Sequence, residues 1–211
     1  MNAIDAFTTV SGVAAPLPQA NIDTDVIMPK QFLKGITRDD LARGVFFDLR
    51  FDASGKEREE FILNQPVYRK PSFLIVGPNF GCGSSREHAV WGLRQFGIRA
   101  VIGTSFASIF QDNCFRNGVL PIALPAGVIE SMQKICSEPQ RSTLCIDLME
   151  QTIYPQGAPP IGFSIDALRR DDLLSGRDAV ASTLRFASDI HAFELRHWIS
   201  QPWLKPPTVG T

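Results

Sequence analysis

Between residues 72 and 122, three short apolar runs alternate with two stretches of helical spacing, and few folds accommodate that order. Ser72-Phe73-Leu74-Ile75-Val76, Ala100-Val101-Ile102-Gly103 and Val119-Leu120-Pro121-Ile122 show no polar alternation. Continuous runs of this kind are expected of strands buried on both faces. The first gap, from about Ser85 to Phe96, places Ala89, Gly92, Leu93 and Phe96 at helical spacing, and the second, Ser105 to Arg116, does the same with Phe106, Ile109, Phe110 and Phe115. Strand, helix, strand, helix, strand is a βαβαβ unit, which predicts an α/β fold with a mostly parallel central sheet flanked by helices.

The flanking regions are less regular. Residues 6–13 form a β-type run that should end at Pro16 and Pro18. Asn21-Ile22-Asp23-Thr24-Asp25 is a polar turn, because Asx and Thr side chains bond nearby backbone amides. Pro29 suits the first position of a short helix running through Lys34, with Gly35 as its stop. Residues 36–60 are mixed and charged, and Phe46, Phe47, Leu49 and Phe51 mark apolar contacts without placing an element. Further on, 128–136, 165–174 and 189–200 should be helical, and 143–147, 151–154 and 161–163 short strands of antiparallel type. Residues 1–200 then form one domain. From Gln201 the prolines at 202, 206 and 207 stop a helix, so 201–211 should be an extended C-terminal arm.

Composition narrows the function. The 211 residues carry a net charge of -1 with Lys and Arg scattered, which is no footprint for nucleic acid. No apolar run approaches the ~18 residues of a membrane span, and the start lacks a signal-peptide pattern. A cytoplasmic protein is expected. The four cysteines, Cys82, Cys114, Cys136 and Cys145, form no C-x-x-C pair, and the three histidines complete no zinc spacing. A metal site or an iron–sulfur cluster held by this chain alone is therefore not expected. Cys114, Cys136 and Cys145 read as buried small apolar residues of a reducing compartment.

The chemistry concentrates at Gly81-Cys82-Gly83-Ser84-Ser85-Arg86, where the first buried strand passes into a helix. Ligands of open α/β sheets bind at that edge. Free amides at a helix start favour an anion, and the planar Arg86 can grip a carboxylate with two hydrogen bonds. A second reading stands beside this one, since Ser84-x-x-Glu87 also fits a capping box that merely satisfies helix-start amides. The phosphate-loop pattern G-x-x-x-x-G-K-[ST] is absent, and glycines at 77, 81 and 83 miss the dinucleotide fingerprint.

These motifs combine into a resemblance. Asn21-Ile22-Asp23-Thr24-Asp25 with Pro29-Lys30-Gln31-Phe32-Leu33-Lys34, followed by Asn79-Phe80-Gly81-Cys82-Gly83-Ser84-Ser85-Arg86-Glu87-His88-Ala89, closely resembles the small-subunit family of 3-isopropylmalate dehydratases. Matches at 105–110, 117–121 and 165–170 extend it over nearly the whole chain. The resemblance implies the swivelling domain of the aconitase superfamily, packed over a large subunit that bears the four-iron four-sulfur cluster. It implies Ser84 as catalytic base, with Ser85, Arg86 and Gly83 binding the carboxylates of a small dicarboxylate. It also assigns the loop around Phe32-Leu33-Lys34 to substrate discrimination. Asp23, Thr24, Asp25, Lys30 and His88 are candidate borders of the site, although the first three equally form a self-bonding turn and His88, three residues into a helix, reads rather as a packing or orienting residue. The implied reaction is dehydration and rehydration of 2-isopropylmalate to 3-isopropylmalate in leucine synthesis.

The chain departs from the family at Pro78, usually acidic, at Val90, commonly proline, and over 38–60. The same chemistry on dimethylmalate, citraconate or homoaconitate, or a non-enzymatic carboxylate-binding module, are the alternative readings. Deprotonating a serine near neutrality costs some 8 kcal/mol, at about 1.4 kcal/mol for each of roughly six pH units. A helix N-terminus offsets at most about 2 kcal/mol of this. The loop is thus expected to be half of an active site, completed by its partner.

Overall fold

In a computed structural model, residues 5–33, 40–84 and 86–205 are described. A seven-stranded sheet organises the chain, with strands β1 (Thr9–Leu17), β2 (Phe73–Val76), β3 (Ala100–Gly103), β4 (Leu120–Ala123), β5 (Thr143–Asp147), β6 (Thr152–Pro155) and β7 (Ile161–Gly162). Their order is β4-β3-β2-β1-β5-β6-β7. The three pairings among β1 to β4 are parallel, and those of β5 with β1, β6 with β5 and β7 with β6 are antiparallel. The sheet is therefore mixed, and the expectation of a mostly parallel one holds only for its βαβαβ half. The last three strands return by short connections, which only antiparallel pairing permits.

The first strand joins the two halves. Thr9 to Val13 pair with β5, and from Ala14 to Leu17 the strand pairs with β2. The switch explains why Pro16 does not end the strand, as its sequence position had suggested. Ala14 still donates to the Ser142 carbonyl at 2.8 Å, but beyond it β5 offers no further partner, so a residue without an N–H is tolerated at position 16.

The helices are α1 (Thr24–Ile27), α2 (Phe47–Arg50), α3 (Glu87–Phe96), α4 (Ser108–Arg116), α5 (Ala126–Cys136), α6 (Ala167–Ser175), α7 (Ala179–Leu184) and α8 (Ala187–Ser200). Alternation along the strands divides the core in two. Leu74, Val76 and Val101 face α3 and α4 in one cluster. Phe73, Ile75, Ala100 and Ile102 face α5, α6 and the antiparallel strands in the other. The stretch that sequence could not place is anchored by Arg50, which donates to the Val45 carbonyl and lies over the Phe96 ring. Asn64 Nδ2 donates to the Arg50 and Arg58 carbonyls, and Phe32, Phe47 and Phe51 form a ring cluster.

Boundaries differ in detail. Lys30–Leu33 is a 3-10 turn in place of a longer helix, while Lys34 and Gly35 lie outside the described residues. The C-terminal arm contains another such turn, Pro202–Leu204, so it is not uniformly extended. The helix α7, unread in the sequence, is capped by Asp178, whose carboxylate accepts from the Ala181 amide. Cys114 and Cys136 are buried as expected, whereas Cys145 is only half-buried, on the outward side of β5. Among the described residues no helix is long and apolar enough to cross a membrane.

Candidate active site

Three parallel strands deliver their C-terminal connections to one place. The chain after β1 gives Asp23 to Asp25, the chain after β2 gives Gly81 to Arg86, and the chain after β3 leads into α4. The central loop is laced to both neighbours. The Gly81 amide donates to the Ile22 carbonyl at 2.8 Å and the Thr24 amide to the Cys82 carbonyl at 2.9 Å, forming a parallel bridge of Asp23 with Cys82. On the other side the Ala107 amide donates to the Phe80 carbonyl at 3.1 Å, and the Asn79 amide to Ser105 Oγ at 2.9 Å.

Glycine is required at the turn itself. Gly81 has a φ of +75°, and a Cβ there would lie 2.2 Å from the Phe110 side chain. Gly83 has a φ of +89°, also closed to most side chains. The Phe110 ring meets the Phe80 ring edge-on at 5.4 Å, which holds α4 against the loop.

Between these elements lies a cleft of about 170 Å³ lined by Thr24, Gly81, Gly83, Ser84, Arg86, Ala107, Ser108, Ile109, Phe110 and Asn113. The predicted residues Ser84, Gly83, Arg86 and Thr24 are thus brought together. Ser84 is exposed; its backbone carbonyl accepts from Thr24 Oγ1 at 2.9 Å, which fixes the loop while leaving the hydroxyl to the cleft. The largely buried Arg86 side chain pairs with Asp25. Asp23 accepts the Val26 amide at 2.8 Å and caps α1. The three residues of the polar turn therefore have separate jobs: cap, loop anchor and arginine partner.

The capping-box reading does not hold. The helix begins at Glu87, its N-cap is Arg86 with no side-chain cap bond, and Glu87 Oε1 accepts from Asn117 Nδ2 on the next connection at 2.8 Å. His88 packs its ring on Trp91, with centroids 4.5 Å apart, and does not line the cleft. Leu33 is half-buried against the core, and Lys30 is exposed; neither lines the cleft. Ser85 and Lys34 lie outside the described residues. Sequence reasoning missed the α4 contribution, above all Asn113. Its signal was the i, i+3 spacing of Phe110 and Asn113 on a helix that follows a parallel strand.

A mixed sheet with its polar loop at the parallel edge, opposite a second helix start, is the plan of a swivelling aconitase-type domain. The Aconitase C-terminal domain family matches residues 4–127. The 3-isopropylmalate dehydratase small subunit 1 of Mannheimia succiniciproducens is 54% identical over 202 residues, covering 96% of this chain and 100% of that protein. The small subunit of Caulobacter vibrioides is 50% identical over 202 residues, covering 95% and 98%. A crystal structure of 3-isopropylmalate dehydratase from Methanocaldococcus jannaschii superimposes with a TM-score of 0.63 at 27% identity, covering 89% of this chain and 99% of that one. The chain belongs to the family of 3-isopropylmalate dehydratase small subunits.

Proposed function

We propose that the chain is the small subunit of a heteromeric hydro-lyase that interconverts 2-isopropylmalate and 3-isopropylmalate in leucine biosynthesis. One observation carries the reading: in a chain of this family, Ser84 and Arg86 line the same cleft, with Asp25 paired to the arginine. Ser84, once deprotonated to the alkoxide, takes the proton alpha to a carboxylate, and the Arg86 guanidinium, paired with Asp25, grips that carboxylate. Gly83 lets substrate approach the backbone, and Ser85 is assigned with Arg86 to carboxylate binding.

Among the described residues no group of three or more His, Cys, Asp or Glu side chains could hold a metal ion. The residues present therefore do not fit an iron–sulfur cluster, which we assign to the large subunit. Because Ser84 is exposed in the single chain, closure against that subunit must exclude water and supply most of the ~8 kcal/mol needed to use a serine as base.

The test is co-expression with a cluster-bearing large subunit and an anaerobic assay on isopropylmalate. Ser84→Ala should lower kcat by about 100-fold or more; substantial retained turnover would remove Ser84 from the role of base. A panel of dimethylmalate, citraconate and homoaconitate run on the same assembly identifies the preferred substrate.

A further inference from the structure

Four polar residues are buried among the described residues: Thr24, Asn64, Asn113 and Ser142. Three have side-chain partners. Thr24 Oγ1 donates to the Ser84 carbonyl, Asn64 Nδ2 to two carbonyls, and Ser142 Oγ to the Pro139 carbonyl. Asn113 differs. It is 7% exposed, its backbone carbonyl is used by Asn117, and its carboxamide makes no hydrogen bond to the described residues. Its oxygen and nitrogen are not sealed from the surface, so they stay open to a ligand that can make the hydrogen bonds the chain does not supply. What remains open on Asn113 faces the cleft that Ser84 and Arg86 line.

The surroundings specify the ligand. Asn113 lies on the same helix whose start lines the cleft through Ala107, Ser108, Ile109 and Phe110. That start has Ala107 as its N-cap, which offers no side-chain cap bond. First-turn amides that no side chain satisfies, at the positive end of a nine-residue helix, favour an anion. On the facing side, Arg86 is already paired with Asp25. One guanidinium with a carboxylate beside it holds one carboxylate of a substrate; a second requires donors that carry no competing anion.

We propose that Asn113 is a further substrate-binding residue: on the α4 side of the cleft that Ser84 and Arg86 line, its carboxamide forms a second carboxylate subsite. The Nδ2 group donates to a carboxylate oxygen, and the positive end of the α4 dipole favours the negative charge on that side of the cleft. This inference rests on the hydro-lyase reading and divides the substrate's two carboxylates between two helix starts, α3 with Arg86 and α4 with Asn113.

The test uses the assembled two-subunit enzyme. Asn113→Ala removes the donor and should lower kcat/KM about 10- to 100-fold, the range of a hydrogen bond to a charged group, mainly through KM. Asn113→Asp has the same shape but brings a negative charge towards the carboxylate. It should lose more than Asn113→Ala near neutral pH and recover relative to wild type as the pH falls and the new carboxyl protonates. If Asn113→Asp does not assemble, Asn113→Ala alone decides. Asn113 has no binding role if the assembled variants keep wild-type KM and pH profile and differ only in melting temperature. Wild-type enzyme inactive on isopropylmalate and on the related hydroxy-dicarboxylates would instead overturn the hydro-lyase reading itself.

Discussion

The residues that shape the site are held by backbone geometry as much as by side-chain contact. Gly81 has both a positive φ and a Cβ vector that points into Phe110. Gly81→Ala must therefore twist the loop and displace a ring that closes the cleft. It should destabilise the chain by about 2 kcal/mol or more; a urea midpoint unchanged from wild type would show that the loop tolerates the twist. Asp25 makes a different kind of contribution, since it does not itself line the cleft but pairs with Arg86, which does. Asp25→Asn keeps the shape and removes the charge. In the assembled enzyme it should raise KM roughly tenfold with a smaller change in kcat, as steady-state kinetics can establish.

Among elements, α5 and the turn preceding β2 form a pair with a pH-dependent weakness. Tyr68 is buried, and its hydroxyl donates to the Cys136 carbonyl at 2.7 Å. Burial pushes the Cys136 thiol up to about 11 and raises Cys114 and Tyr68 as well. Each of these groups is held neutral in the folded chain, so the unfolded chain releases its protons first. The stabilisation is complete below about pH 9 and is lost as pH climbs towards 11. Melting temperature should fall over that interval, and the Cys114→Ala, Cys136→Ala double variant should show a flatter decline measured by circular dichroism. At the other end of the chain, α8 buries none of its residues, while Phe193, Ile199 and Trp203 remain exposed. Ending the chain at Phe186 should therefore shift the melting temperature by no more than about 4 °C. A larger fall would mean that α8 supports the sheet.

At the scale of the molecule, the parallel half of the sheet serves the chemistry and the antiparallel half closes the second core. All three loops of the cleft leave the same edge of β1, β2 and β3. Ser84, in the cleft, is exposed to water in the single chain, so the isolated chain should not turn over isopropylmalate even at high concentration, whereas addition of the large subunit should restore activity. Activity of the chain alone would contradict the half-site argument.

Much of this was legible in the residues. The continuous apolar runs at 72–76, 100–103 and 119–122 determined the parallel βαβαβ unit, because a strand covered on both faces has no place for polar alternation. Glycines at 81 and 83 with Ser84 and Arg86 marked the loop, since only such residues combine left-handed backbone with anion-binding groups. Other features depended on partners distant in sequence. Whether Ser84 capped a helix or faced a cleft was settled by Asn117, which engages Glu87 from 30 residues away. Pro16 continues a strand only because β1 changes partners at that point. Asn113 is an ordinary helical residue in the sequence. Only the packing of α4 against Gly81 places it in the lining of the cleft with Arg86, because burial and neighbours are properties of the assembled chain.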